Sequence, residues 1–253
     1  MNIHIKLDST GLISGANAAN KGASSIRAAI NRKGSAQIIL ATGTSQFAML
    51  EALAANHDLD WSKCSVFHLD EYIGLSQQND ASFVKYLRER FVNRIPSLGH
   101  FEAINGSAKN IDDEIRRLNI TISENTIDVA FIGIGENGHL AFNDPPADLA
   151  TESPYIRVSL DQVCRNQQKS EGWFKTINDV PLDAITMSIT QIMKSRTIIC
   201  TVDGARKADA VLVSIEGPLD LRSPASILRK HSDVWLFLDR LAGSKLNRSA
   251  FNN

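Results

Sequence analysis

The sequence predicts an α/β fold for residues 1–253: a single domain with a doubly wound, mostly parallel sheet and helices on both faces. Three observations lead there. Five short runs rich in Ile, Val and Phe recur along the chain: AQIILATG (36–43), CSVFHLDEY (64–72), IDVAFIGIG (127–135), RTIICTVDG (196–204) and DVWLFLD (233–239). Each is almost continuously apolar rather than alternating, the pattern of a strand buried on both sides. Longer helical patterns separate them, and a repeated strand–helix order builds a parallel sheet through crossover helices.

The intervening segments supply those helices. SQFAMLEALAANH, starting at Ser45, brings Phe47, Leu50 and Leu53 close to one helical face, and Ser45 offers an N-cap oxygen. Further helices are expected over Ala81 to Arg94, Asp112 to Leu118, Ala205 to Ile215 and Ala225 to His231. PPADLATESP (145–154) reads as a loop, and the tail from Ala242 as a loop and mobile terminus.

A chain of 253 residues with 43% hydrophobic content can bury a substantial core. Its formal charge of -1, from 27 basic and 28 acidic residues, gives no bulk drive toward nucleic acid or an anionic membrane, so any anion must be captured locally. The opening MNIHIKLDST resembles no secretion signal and no apolar run reaches spanning length, which makes the cytoplasm the expected location. Cys64, Cys164 and Cys200 are few and far apart, as reduced thiols rather than metal or disulfide pairs would be.

In an open parallel sheet the ligand crevice lies beyond the carboxyl ends of the strands, so the residues after each strand carry the chemistry. ATGTSQ (41–46) joins a strand to a helix start. Gly43 with Thr42, Thr44 and Ser45 would offer backbone N–H groups and hydroxyls to a phosphate, although a tight turn with an N-cap explains the same residues. HLDEYIGL (68–75) puts Asp70 and Glu71 at a strand end. Successive side chains point oppositely, so one faces the crevice as a catalytic carboxylate and the other is structural. His68 is a packing histidine on this pattern.

FIGIGENGHLAFNDPP (131–146) is the most informative stretch. Gly133, Gly135 and Gly138 imitate a dinucleotide fingerprint, but Pro145 and Pro146 forbid the long helix that must follow one. The glycines instead bend the backbone to present His139, with Asn137 and Asp144 near enough to hold its ring for proton transfer. In DGARKADAV (203–211), Lys207 falls on a first helical turn, within reach of a phosphate oxygen.

These segments, in this order, resemble the glucosamine-6-phosphate deaminase/isomerase family. HLDEYIGL and GENGHLAFNDP carry the likeness, with ATGTSQ, GARKA and VPLDAITMSI (180–189) in support. The resemblance implies a Rossmann-like fold of the deaminase type and an amino-sugar 6-phosphate as ligand. It implies conversion to a ketose phosphate with release of ammonia, without a cofactor or metal, by a chain for which a homo-oligomer is one expected form. Asp70 would move the C2 proton and His139 would open the pyranose ring, positioned by Asn137 and Asp144. Gly135 and Gly138 would border the substrate, and phosphate would sit on residues 42–45 and Lys207.

Three positions depart from the family pattern. Asn137 stands where many members have Asp, and Asp144 stands where the family has Glu, so a water is expected between Asp144 and His139. Gly172 falls where the family's phosphate-binding Arg belongs, with Arg165 and Lys169 as nearby substitutes. Two other functions share parts of the pattern. A 6-phosphogluconolactonase would show an Arg soon after the Asp–Glu pair, where this chain has Tyr72, Ile73 and Gly74. A non-catalytic sugar-phosphate sensor would carry a DNA-binding extension, and none precedes Ala36.

Overall fold

The computed structural model describes residues 3–247. Seven strands form one sheet: β1 (Ile3–Asp8), β2 (Ala36–Leu40), β3 (Cys64–His68), β5 (His100–Phe101), β6 (Val129–Ile132), β9 (Thr197–Val202) and β10 (Val234–Asp239). Their order is β1-β10-β9-β6-β2-β3-β5. Every pairing in it is parallel. A second, antiparallel sheet has the order β4-β8-β7, from β4 (Asp70–Tyr72), β8 (Asp183–Met187) and β7 (Tyr155–Ser159). The helices are α1 (Gly11–Lys33), α2 (Phe47–Ala54), α3 (Phe83–Arg90), α4 (Ile111–Ser123), α5 (Gln162–Ser170), α6 (Ile189–Ile192) and α7 (Ala208–Glu216).

The alternation of side chains along each strand of the parallel sheet gives one core on either face, and a third, smaller cluster forms around Tyr72, Phe83 and Phe142. Ile38, Leu40, Val129, Phe131, Ile199 and Phe237 belong to the core beneath α1 and α2. Their neighbours Ile39, Ala130, Ile132, Ile198, Cys200 and Leu236 belong to the core on the other face. Both faces of the central strands are covered, so their runs are almost continuously apolar, with Gln37, Ser65, His68 and Thr201 among the few polar positions.

Helix α1 hides from periodicity because small residues make its buried stripe: Ser14, Gly15, Ala18, Ala19, Gly22 and Ala23. Thr10 caps its start by accepting from Ile13 N, and Gly34 ends it in the left-handed conformation at φ 83°. The small stripe lets the helix lie close on the sheet. A Cβ at Gly22 would stand 2.1 Å from the Phe131 ring, and one at Gly15 would stand 2.6 Å from Ala48 Cβ.

Several elements depart from the pattern read in the sequence. The run 64–72 is two strands: the chain leaves the parallel sheet after His68, and Asp70, Glu71 and Tyr72 pair with Thr186, Ile185 and Ala184 of β8. Ser45 caps no helix; its hydroxyl donates to Asp203 Oδ1 at 2.5 Å. Pro224–Lys230 is a 3-10 segment rather than an α-helix, and the helix expected over 81–94 is α3 followed by a 3-10 turn at Val92–Arg94. The tail does not come loose at Ala242, since Ala242 and Leu246 are buried in the second core. The remainder of that expectation, residues 248–253, lies outside the described residues. All three cysteines are free and buried, and among the described residues no helix is long and apolar enough to cross a membrane.

Gly22→Ala should lower stability by about 1–3 kcal/mol, because the overpacking against Phe131 outweighs Ala's better helix propensity. A fall in the urea midpoint with an unchanged denaturant slope checks this; an unchanged midpoint would mean that α1 shifts freely.

Candidate active site

Strands β9, β6, β2 and β3 lie side by side, and the segment after each one reaches the same open cleft. That cleft is lined by Thr42–Ser45, Asp70, Gly133–Gly135, His139 and Lys207, together with residues of α3 and α5. It lies where an open parallel sheet offers ligand space.

The two adjacent carboxylates separate as expected of successive strand residues. Asp70 faces the cleft and is 6% exposed, with no hydrogen bond to its carboxylate among the described residues. Burial first, and the Glu71 charge second, raise its pKa well above the ordinary carboxylate value. Glu71 points away and is fully buried. Its oxygens accept from the Ser82 hydroxyl at 2.7 Å, Val84 N at 3.0 Å, Phe83 N at 3.2 Å and Tyr72 N at 2.9 Å. Burial still raises its pKa, against those hydrogen bonds. It anchors the start of α3. His68 is also a packing group: fully buried, it accepts from Ile104 N at 2.9 Å through Nε2, and burial pushes its pKa down to about 3.

In the glycine-rich segment, His139 Nδ1 lies 3.1 Å from Asp144 Oδ1, at an angle bent from that of a straight hydrogen bond. The expected bridging water is unnecessary, because the shorter Asp144 side chain reaches the ring directly. Burial would raise the Asp144 pKa, but the His139 ring and the Asn137 amide outweigh it and hold the carboxyl below its ordinary value. Asn137 accepts from His139 N at 3.1 Å and donates to Asp144 Oδ1 at 3.3 Å. An Asp at 137 has no proton to donate and would repel Asp144, so the two departures suit each other. With Nδ1 turned to Asp144, Nε2 is left for the cleft. Gly135 makes this possible: a Cβ there would stand 2.3 Å from the His139 ring. Gly138, at φ 84°, is a turn residue outside the cleft wall, and its carbonyl accepts from Ala225 N.

Two turns of the same design flank this segment. Gly43 at φ 100° and Gly204 at φ 87° each open a 3-10 turn, Thr44–Gln46 before α2 and Ala205–Lys207 before α7. Gln46 secures the first turn by donating to Thr201 O at 3.2 Å. Ser45 lines the cleft, but its proton is committed to Asp203, leaving Thr42 and Thr44 as the free hydroxyls. Lys207 is 8% exposed and makes no hydrogen bond or ion pair through Nζ among the described residues. Burial lowers its pKa, while Glu171 and Glu136 act in the opposite direction.

The sequence pointed to the stretch around Gly172 through Arg165 and Lys169, but Gln167, Gln168 and Glu171 are the residues that line the cleft there; none of the three was singled out, because a polar run gives no periodic signal of what it faces. Gln167 accepts from Glu136 N at 3.2 Å and donates to Glu171 at 2.8 Å, joining α5 to the segment after β6. Neither candidate for the missing arginine reaches the cleft wall. Arg165 donates to the carbonyls of Ile177 and Val180 at 2.7 and 3.1 Å, and Lys169 is not part of that wall. Gly172, at φ 88°, follows the last turn of α5 as its left-handed terminator. His139, Asp144 and Cys164 form one group whose ligand atoms lie within 4.8 Å of one another. Burial, then the nearby carboxylates, push the Cys164 thiol far up, so it sits there as a protonated, poor ligand.

A family model described as glucosamine-6-phosphate isomerases/6-phosphogluconolactonase matches residues 14–236. The chain belongs to this family of enzymes. A glucosamine-6-phosphate deaminase of Streptococcus agalactiae serotype III is 36% identical over 217 residues, covering 85% of this chain and 90% of that one. One from Lacticaseibacillus paracasei is 37% identical over 209 residues, covering 83% and 86%. Among solved structures, a monomeric glucosamine-6-phosphate deaminase superposes with a TM-score of 0.86 at 30% identity, covering 95% of this chain and 99% of that one. A 6-phosphogluconolactonase of Shewanella baltica reaches 0.78 at 20% identity, over 94% and 97%, a likeness of fold alone.

A side chain at Gly135 would press directly on the His139 ring, since a Cβ there would stand 2.3 Å from it. Gly135→Ala should cost about 10²-fold in kcat by displacing the ring, with the protein still folded by circular dichroism. Wild-type turnover would mean that the ring's position is immaterial.

Proposed function

We propose that the chain, acting as one domain, is a glucosamine-6-phosphate deaminase that converts glucosamine 6-phosphate and water to fructose 6-phosphate and ammonia. The observation that carries this reading is Asp70: a buried carboxyl with an elevated pKa and no protein hydrogen-bond partner, in one cleft with the His139–Asp144 pair and Lys207. The deaminase relatives support it.

The steps are proton transfers and the addition of water. His139, through Nε2, takes the C1 hydroxyl proton and returns a proton to the ring oxygen, opening the pyranose to the aldehyde. Asp144 meets the ring at Nδ1 for both transfers, and Asn137 holds Asp144 and the His139 backbone in place. Asp70 removes the C2 proton, the C2–H electrons form a C1=C2 double bond, and the carbonyl oxygen takes a proton from the substrate's ammonium group. Asp70 then delivers its proton to C1, which leaves an iminium at C2. Water adds to C2 and the C–N bond breaks, releasing ammonia. An elevated pKa makes Asp70 a stronger base than an ordinary carboxylate once it is ionised. The phosphate is held by the backbone N–H groups and free hydroxyls of residues 42–44 and by the Lys207 ammonium.

Purified protein given glucosamine 6-phosphate should release ammonia and fructose 6-phosphate in equal amounts. Hydrolysis of 6-phosphogluconolactone without ammonia from either glucosamine or galactosamine 6-phosphate would sink the reading. Asp70→Asn should abolish solvent-proton exchange at C2 and lower kcat by about 10³-fold or more, with ligand binding retained. Exchange at the wild-type rate would remove Asp70 from the mechanism.

The pH profile follows from two groups. Asp70 must be ionised and its pKa is raised, so the acid limb of kcat/KM should lie above the ordinary carboxylate range. Lys207 must be charged and its pKa is lowered, so the alkaline limb should lie below the ordinary lysine range. Lys207→Ala should remove the alkaline limb and weaken phosphorylated ligands about 10–100-fold, with little effect on unphosphorylated sugars. Equal losses on both would indicate a folding defect.

A further inference from the structure

One donor in the cleft has no role in these steps. Gln168 lies in the α5 wall, 6% exposed, and its Oε1 accepts a 2.8 Å hydrogen bond from the Tyr72 hydroxyl. Tyr72 is fully buried, with the rings of Phe83, Phe142 and Phe174 at centroid distances of 4.9, 5.3 and 5.3 Å. Burial first, then nearby acidic groups, drive its pKa well above the ordinary value, so the hydroxyl keeps its proton and must donate. Gln168 Oε1 is the acceptor it has among the described residues. A buried hydroxyl proton left without an acceptor is costly, so the amide is locked in one of its two flip states, with the carbonyl on Tyr72. The NH2 group is then the end left to the cleft, and Nε2 meets no acceptor among the described residues.

The geometry points to Gln168 as a substrate-positioning residue that donates from Nε2 to a hydroxyl oxygen of the bound sugar phosphate, with Tyr72 fixing its orientation. The assignment rests on the reading of the cleft as a sugar-phosphate site. A hydroxyl suits this position better than the phosphate does. The cation and free backbone donors gather at residues 42–44 and Lys207, whereas Gln168 is neutral and shares its wall with Glu171. Tyr72 acts only through Gln168, so losing either partner removes one and the same contact.

A double-mutant cycle tests this by calorimetry of glucosamine 6-phosphate binding, in an Asp70→Asn background that does not consume the ligand. Gln168→Ala should weaken binding about tenfold, the size of one hydrogen bond. Tyr72→Phe should reproduce most of that loss, and the double variant should bind no worse than Gln168→Ala. Inorganic phosphate should bind equally to all four. Should Tyr72→Phe fail to fold, Gln168→Glu serves instead: it keeps the oxygen for Tyr72, loses the NH2 and should weaken binding at least as much as Gln168→Ala. Unchanged binding by Gln168→Ala, additive losses, or an equal loss for inorganic phosphate each overturns the assignment while leaving the deaminase reading standing. A parent protein that binds no amino-sugar 6-phosphate overturns both.

Discussion

The parallel alignment of β9, β6, β2 and β3 is the constraint on which the rest of the molecule depends. Four neighbouring strands running the same way must end along the same edge, so segments 203–207, 133–139, 42–46 and Asp70 converge although up to 165 residues of chain separate their members. The two apolar cores hold that alignment from either side, and α1 can approach closely enough only because its buried stripe is made of Gly, Ala and Ser. Packing far from the cleft thereby sets the positions of the groups within it.

Burial then gives each polar group in the cleft its character. Asp70 and Glu71 are one residue apart and both buried, but their surroundings differ. Glu71 is bound by three backbone N–H groups and a hydroxyl at the start of α3, while Asp70 has no such partner and resists ionisation. The Glu71 charge adds to that resistance. Lys207 is desolvated in the same way, which lowers its pKa, and its neighbours Glu171 and Glu136 act against that fall. Groups that burial leaves without protein partners are held ready for a ligand that supplies those partners.

The positions that depart from the family pattern make sense in pairs rather than singly. Asn137 can donate to Asp144 because it is an amide, and Asp144 meets His139 directly although its side chain is short. Gly172 terminates α5, and that helix brings Gln167, Gln168 and Glu171 to the cleft instead of an arginine. The cleft wall thus contains one cationic side chain, Lys207, among the described residues.

By itself the sequence determined the five central strands, the glycine turn at 43, and the grouping of Asp70, His139, Asp144 and Lys207. Apolar runs, turn residues and the residues that follow strands are local signals, set by sterics and burial within a few positions of chain. Tertiary structure alone decided the split of 64–72 between two sheets, since only the pairing of Asp70–Tyr72 with β8 distinguishes one strand from two. It also decided the fate of Ser45, whose hydroxyl serves Asp203, 158 positions away, instead of capping a helix. The α5 wall belongs with these. A polar helix gives no periodic signal of what it faces, and Gln168 acquires an orientation only through a buried tyrosine 96 residues distant, because a hydrogen bond is specified by proximity in space and not along the chain.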